Sequence, residues 1–356
     1  MDPRVDVFSH ILPPRYEKAR WERAEKSHFS DHSPSQLKFV QSNKVPPENY
    51  KILTDLDYRV RMMDEFENYR EVLSVASPPV EVVAPDDSEY VAKILNDELA
   101  EAVQKYPKYF AGAVCSLPMD KPDAAIKELE RSLDDLKLCG VQLFSNANGK
   151  ALDAPEFRPI FEIMSKRDLP IMLHPARSKH HADYSTESYS KFLIWQVIGW
   201  PFESSAAMTR IVFSGILDEY PNLKIVVHHT GAMIPFMNGR MKMMYDVFQP
   251  LVEEESGAKL KRPVMDYFRS FYGDTSVFTT ASINCASDFF GAEHLLFASD
   301  APFDAQGGRL SIAAATESIK NSTLSAADKS KIFYKNFETL FHLPATVTAA
   351  AATARV

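Results

Sequence analysis

Eight short apolar runs alternate with longer amphipathic stretches along this chain, and that rhythm constrains its fold more than any other feature. The runs are Val5–Leu12, Glu71–Ala76, Tyr109–Ser116, Gly140–Ser145, Leu169–His174, Leu223–His229, Phe271–Thr275 and His294–Ser299. Most are continuously apolar rather than alternating, as strands buried on both faces are. Between them, Asp87–Tyr106 places Val91, Ile94, Leu95, Leu99 and Val103 at helical spacing. Pro122–Leu138, Pro155–Arg167, Ser204–Tyr220, Ala281–Phe290 and Leu310–Asn321 follow the same pattern, and Pro122 and Pro155 suit a first helical turn. Strand-then-helix units repeated in this way predict an α/β fold, a (β/α)8 TIM barrel. A doubly wound sheet is the alternative, but with 12 glycines in the chain no Gly-rich phosphate loop follows any strand.

The segment Pro13–Tyr58 breaks the rhythm. It is polar and charged, with Trp21, Phe29, Phe39 and Tyr50 as isolated anchors. Following strand 1, it lies on the catalytic face of a barrel and is expected to form a lid. The chain is thus read as one domain over residues 1–344, with 13–58 as the insertion and an Ala- and Thr-rich frayed tail over 345–356. A net charge of −8 argues against nucleic-acid and anionic-membrane partners. No window reaches the ~18 unbroken apolar residues of a membrane span. Cys115, Cys139 and Cys285 are too few and scattered for a disulfide framework, and no signal peptide opens the sequence, so a reducing cytoplasm is expected.

In a barrel the functional groups sit at the carboxyl ends of strands. Here those ends carry His10, His174, the pair His228 and His229, Asp274 and Asp300. Two histidines and an aspartate can hold a divalent metal with positions left for water or substrate. One such histidine alone is ordinary; the coincidence at several strand ends favours a site. His180 and His181 fall in a polar loop after strand 5, solvated or touching substrate. Cys115 reads as a buried thiol rather than a nucleophile.

Asp6-Val-Phe-Ser-His10-Ile-Leu-Pro13 resembles the opening Asp-x-His-x-His-x-x-Pro motif of the amidohydrolase superfamily. Leu173-His174-Pro175-Ala176, Trp200-Pro-Phe-Glu203, Ser214 through Lys224, His229 through Phe236 with Gly239-Arg240, and Ala298-Ser-Asp300-Ala-Pro-Phe303 are similar to segments of its aminocarboxymuconate-semialdehyde decarboxylase-like family. Resorcylate, dihydroxybenzoate, methylsalicylate and isoorotate decarboxylases are members of that family. The matches run from residue 5 to about 340. One position departs: where the family usually has the first histidine of His-x-His, this chain has Phe8.

The resemblance implies a non-oxidative decarboxylase of a small hydroxy-aromatic or enoic acid. It implies a divalent metal, zinc or else manganese, held by His10, His174 and Asp300. Phe8 leaves open that the metal has been lost. By the same resemblance His229 is the general base or proton relay, Asp300 is also catalytic, and the enzyme is a homodimer. Strand alternation then turns His228 towards the helices. Phe8, Arg59, Arg177 and Phe303 are the candidate substrate contacts. Arg59 belongs to Tyr58-Arg-Val-Arg-Met-Met-Asp64, which resembles the family's Arg-x-x-x-Met-Asp helix, where an arginine can bind the substrate carboxylate; a surface position is the alternative. Glu203 is expected to cap a helix or hold a histidine. Superfamily relatives that hydrolyse lactones, and a metal-independent hydratase or cyclase, are the other readings.

Overall fold

A computed structural model describes residues 2–24 and 47–347. The expected strands form in place: β1 (Arg4–Ile11), β2 (Tyr69–Val75), β3 (Phe110–Ala113), β4 (Val141–Phe144), a small hairpin of β5 (Asn146–Ala147) and β6 (Lys150–Ala151), then β7 (Pro170–His174), β8 (Lys224–Val227) and β9 (Tyr272–Gly273). All pairings but the hairpin are parallel: β1 with β2, β2 with β3, β4 with β7, β7 with β8 and β8 with β9. Single bridges complete the circuit. Cys115 to Val141 joins the β3 end to β4, Gly273 to Leu295 adds a last stave, and Ser9 to Ala301 returns to β1. Leu295–Ala301 is therefore the eighth stave, bonded to β1 by Val7 N to Phe297 O at 3.0 Å and His10 N to Ala301 O at 2.8 Å. Eight parallel staves in sequence order make a closed barrel.

Alternation divides the strand residues between two cores. Val72, Val114, Met172, Val226 and Leu296, from five staves, cluster with Phe8 and are closed off by Phe337, Leu340 and Phe341 of the helix Asn336–Phe341. Leu73, Leu143, Leu173, Ile225 and Phe297 instead belong to the cluster that holds the surrounding helices. The helices Ser88–Lys105, Pro122–Asp134, Arg158–Arg167, Thr280–Phe290 and Arg309–Lys320 follow the apolar periodicity of the sequence. The stretch expected as one helix over Ser204–Tyr220 is two, Gly199–Phe213 and Ile216–Glu219, because Gly215 turns the chain with φ 75°. A 23-residue helix, Ile234–Ser256, is not signalled by periodicity, since Phe236, Met243, Val247, Phe248 and Leu251 face outward.

Within the expected insertion, Pro14–Ala24 and Pro47–Thr54 are helices. Residues 25–46, with Phe29 and Phe39, lie outside the described residues, as do 348–356. The tail starts later than expected. Arg70 Nη1 donates to the carbonyls of Pro344 and Ala345 at 2.9 and 3.2 Å, and Ala345 is buried. Among the described residues no helix is long and apolar enough to cross a membrane.

Arg59 corrects an expectation. It neither binds substrate nor lies on the surface, but is fully buried behind β1. Its Nε donates to Glu71 Oε2 at 2.7 Å, Nη1 to His10 O at 2.8 Å and Nη2 to Ser9 Oγ at 2.5 Å. The guanidinium is consumed in fixing β1 to β2. Removing it leaves Glu71 as an unpaired buried charge, so Arg59→Ala should cost about 3–5 kcal/mol. Urea denaturation checks this; an unchanged midpoint would show that the pair is not what anchors β1.

Candidate active site

One end of the barrel gathers the titratable groups. His10 is the penultimate residue of β1, His174 the last of β7, His228 follows β8 directly, Asp274 follows β9, and Asp300 lies in the eighth stave. Two of the 3.1–3.3 Å contacts end on one atom: His10 Nε2 and His228 Nε2 lie 3.1 and 3.3 Å from Asp300 Oδ1. His229 Nε2 is 3.9 Å from Asp300 Oδ2. His228 therefore does not face the helices, as strand alternation would have it. The alternation rule stops applying because β8 ends at Val227, and His229 and Thr230 turn the chain with φ of 58° and 60°. Both neighbouring rings then enter the site, with centroids 3.9 Å apart. The turn of the chain at His228-His229-Thr230-Gly231 was the signal available in the sequence.

The hydrogen-bond partners select the tautomers. His10 Nδ1 lies 3.2 Å from Val75 O, His174 Nδ1 2.8 Å from Pro175 O and His228 Nδ1 2.5 Å from Asp274 Oδ2. These acceptors require the proton on Nδ1, which leaves the lone pair of each neutral ring on Nε2. Nε2 of His10 and of His228 is buried with no hydrogen-bond partner. Lone pairs aimed at a carboxylate oxygen repel it unless a cation lies among them. Ring nitrogens of His10, His174 and His228 lie within 4.8 Å of one another, as do ligand atoms of His228, His229 and Asp300. This set of imidazole nitrogens and a carboxylate oxygen fits a divalent metal ion.

The protonation equilibria agree. Burial and the neighbouring His228 and His10 hold His174 well below its usual value, which keeps its lone pair free. Burial opposes charge on His228, but Asp274 and Asp300 on either side carry it up to about 9. At neutral pH the site thus demands a positive charge at this ring, a proton or a metal ion in its place. Burial also opposes the ionised form of Asp300, and His228 with the surrounding ring nitrogens outweighs it, holding the carboxyl well below the usual range. Burial and His228 push His229 down, so it is a neutral base. Asp274 is fully buried and saturated. It accepts from His228, from the backbone N–H of Thr230 at 2.7 Å and of Ser276 at 3.0 Å, and from Ser276 Oγ.

Above these groups opens a cavity of about 510 Å³, with His174 and Asp300 in its floor and Trp21, Leu53, Trp200 and Phe303 among its walls. Such a volume suits one small aromatic molecule. Arg177 lines it, with Nη1 2.9 Å from Glu203 Oε1 and a buried Nε that has no hydrogen-bond partner. Glu203 thus holds an arginine, not a histidine. Phe303 lies 5.6 Å, ring to ring, from His10. His181 reaches the cavity. Phe8 does not: it is fully buried beneath His228, its ring stacked at 4.2 Å and 20°. The expected substrate contact is therefore a support for a histidine. Cys115 is fully buried, and burial pushes its thiol far above the usual range, so it is no nucleophile.

Comparisons with known proteins converge on this architecture. Residues 9–343 match the family model described as amidohydrolase. Gamma-resorcylate decarboxylase of Polaromonas sp. is 32% identical over 314 residues, covering 86% of this chain and 93% of that protein. The 2-amino-3-carboxymuconate-6-semialdehyde decarboxylase of Dictyostelium discoideum is 27% identical over 305 residues, covering 84% of this chain and 82% of that protein. Among solved structures, a dihydroxybenzoic acid decarboxylase of Polaromonas sp. with bound manganese and 2-nitroresorcinol superposes with a TM-score of 0.72 at 26% identity, covering 96% of this chain and 97% of that one. A barrel closed in sequence order, histidines and aspartates at its strand ends and a family match across nearly its whole length make this chain a member of the amidohydrolase family.

Proposed function

We propose that the chain is a metal-assisted, non-oxidative decarboxylase of a small aromatic acid with a hydroxyl beside the carboxylate. The observation that carries this reading is the convergence of His10, His174 and Asp300, the last two in the floor of a cavity with aromatic walls that also presents Arg177. His10, His174 and Asp300 would hold the ion, and zinc or manganese suits the donor set. Bound there, the ion would supply a Lewis acid that stabilises negative charge on the substrate's oxygens.

Decarboxylation of such an acid replaces the carboxylate on a ring carbon with a proton. The carbon is first protonated, which breaks aromaticity; the C–C bond then cleaves, its electron pair returns to the ring, and CO2 leaves. His229, neutral and 3.9 Å from Asp300 Oδ2, would take the phenolic proton and pass it on through Asp300 to the ring carbon. The guanidinium of Arg177 would donate to the substrate's second oxygen, with Glu203 holding it in place. Trp200 and Phe303 would sandwich the ring.

Of the insertion 13–58, the helices Pro14–Ala24 and Pro47–Thr54 serve as a lid in this reading, because Arg20, Trp21, Tyr50 and Leu53 all line the cavity. The whole of 1–344 works as one domain in a reducing cytoplasm, where the free thiols of Cys115, Cys139 and Cys285 are stable. A homodimer would cover the outward apolar side chains of the helix Ile234–Ser256.

Incubating the zinc- or manganese-loaded protein with 2,6-dihydroxybenzoate, 6-methylsalicylate and 5-carboxyvanillate should release CO2 from at least one of them. Chelation or Asp300→Ala should abolish release. Lactone hydrolysis without CO2 from any of these acids would contradict the proposal and favour a hydrolase. Arg177→Ala should raise KM about tenfold with little change in kcat, the signature of lost uniform binding; an unchanged KM would remove Arg177 from the site. Trp21→Ala should raise KM while leaving Tm within about 2 °C, since the half-buried ring faces the cavity rather than the core. A large drop in Tm at constant KM would make the segment scaffold instead of lid.

A further inference from the structure

We propose that His228 is itself a metal ligand and supplies the donor that strand β1 lacks at Phe8. The inference rests on the metal-centre reading above and extends it to a residue outside the set His10, His174 and Asp300. Phenylalanine at position 8 cannot coordinate, which leaves β1 with His10 alone. The ring of His228 lies directly over Phe8, at 4.2 Å and nearly parallel, so the side chain that cannot bind an ion forms the platform for one that can.

Three features give His228 the form of a ligand. Its Nε2 and that of His10 approach the same oxygen, Asp300 Oδ1, at 3.3 and 3.1 Å. Its ring nitrogen forms a set with those of His10 and His174 in which all three residues are buried. And Nε2 is buried with no hydrogen bond to satisfy it, facing the Asp300 oxygen that would share the ion. Asp274 accepts the Nδ1 proton at 2.5 Å, the carboxylate–histidine arrangement that orients metal-ligating imidazoles and raises their basicity. Asp274 cannot swing away, because backbone N–H groups of Thr230 and Ser276 hold it. The result is a centre of three imidazole nitrogens and one carboxylate oxygen, the donor class of zinc and its divalent neighbours, with the third imidazole moved from the first stave to the sixth.

Zinc X-ray absorption on the full-length zinc-loaded protein reads the number of imidazoles directly and needs no variant. Three coordinated imidazoles are expected; two would overturn the proposal, leaving a proton rather than the metal on His228. Chelator competition on variants gives an independent reading. His228→Gln should weaken zinc binding at least tenfold, as His10→Gln should. Full affinity in a folded His228→Gln protein, together with loss in His10→Gln, would overturn the role of His228 while keeping the centre. Absence of stoichiometric zinc from the unaltered protein at micromolar concentrations would overturn both.

Discussion

Closure of the barrel between its first and last staves is the constraint on which the site depends. His10 N donates to Ala301 O at 2.8 Å, and Asp300 N donates to Phe8 O at 3.1 Å, so Asp300 is fixed against β1 by backbone bonds spanning nearly the whole sequence. The same closure places Ser299 on Asp6, whose carboxylate also accepts from Tyr69 at 2.7 Å. Beneath, Tyr69 and Arg59 share Glu71. This buried chain of Asp6, Tyr69, Glu71 and Arg59 is costly to assemble. Desolvation, helped by Glu71, pushes Asp6 up to about 7. What it achieves is anchorage: β1, which carries Phe8 and His10, is hydrogen-bonded on both flanks.

The staves were legible because parallel strands covered on both faces read as continuous apolar runs, and each of the eight lies where such a run occurs. Helices with one buried stripe were legible for a similar reason. Ile234–Ser256 was not, because its apolar residues spread around the cylinder and several face outward. The strand-end histidines and aspartates were legible as a set. Their individual aims were less so. His228 was misplaced by extending period-two alternation one residue past the end of β8, where the backbone leaves the strand. Arg59 was misread because sequence shows charge but not burial, and only packing reveals that Glu71 and two groups of β1 consume the guanidinium. Phe8 stood out as a missing ligand, but its role as a platform for a ring 220 positions later in the chain depends on the closed barrel.

The electrostatics divide the site by function. His174 and His229 are held neutral by burial, one able to ligate and the other to accept a proton. Asp274 and Asp300, on either side of His228, stay ionised and favour positive charge between them. A fixed ring of donors and acceptors built this way needs no reorganisation when charge develops on a substrate, which is how a buried site lowers a barrier. Aromatic and apolar side chains share the cavity walls with Arg20, Arg177 and His181, so a small acid meets charge at the floor and at these wall groups. In the proposed reaction a carboxylate and its neighbouring oxygen would point to that floor, with the ring between Trp200 and Phe303.

Crystals of the zinc-loaded protein grown with 2,6-dihydroxybenzoate and measured at the zinc absorption edge test this account most directly. An anomalous peak about 2.1 Å from ring nitrogens of His10 and His174 and from an oxygen of Asp300 is predicted, with the ligand's carboxylate towards it and Arg177 and its ring between Trp200 and Phe303. A peak elsewhere on the molecule, or a ligand seated in the cavity with its carboxylate turned away from His10, His174 and Asp300, would contradict it.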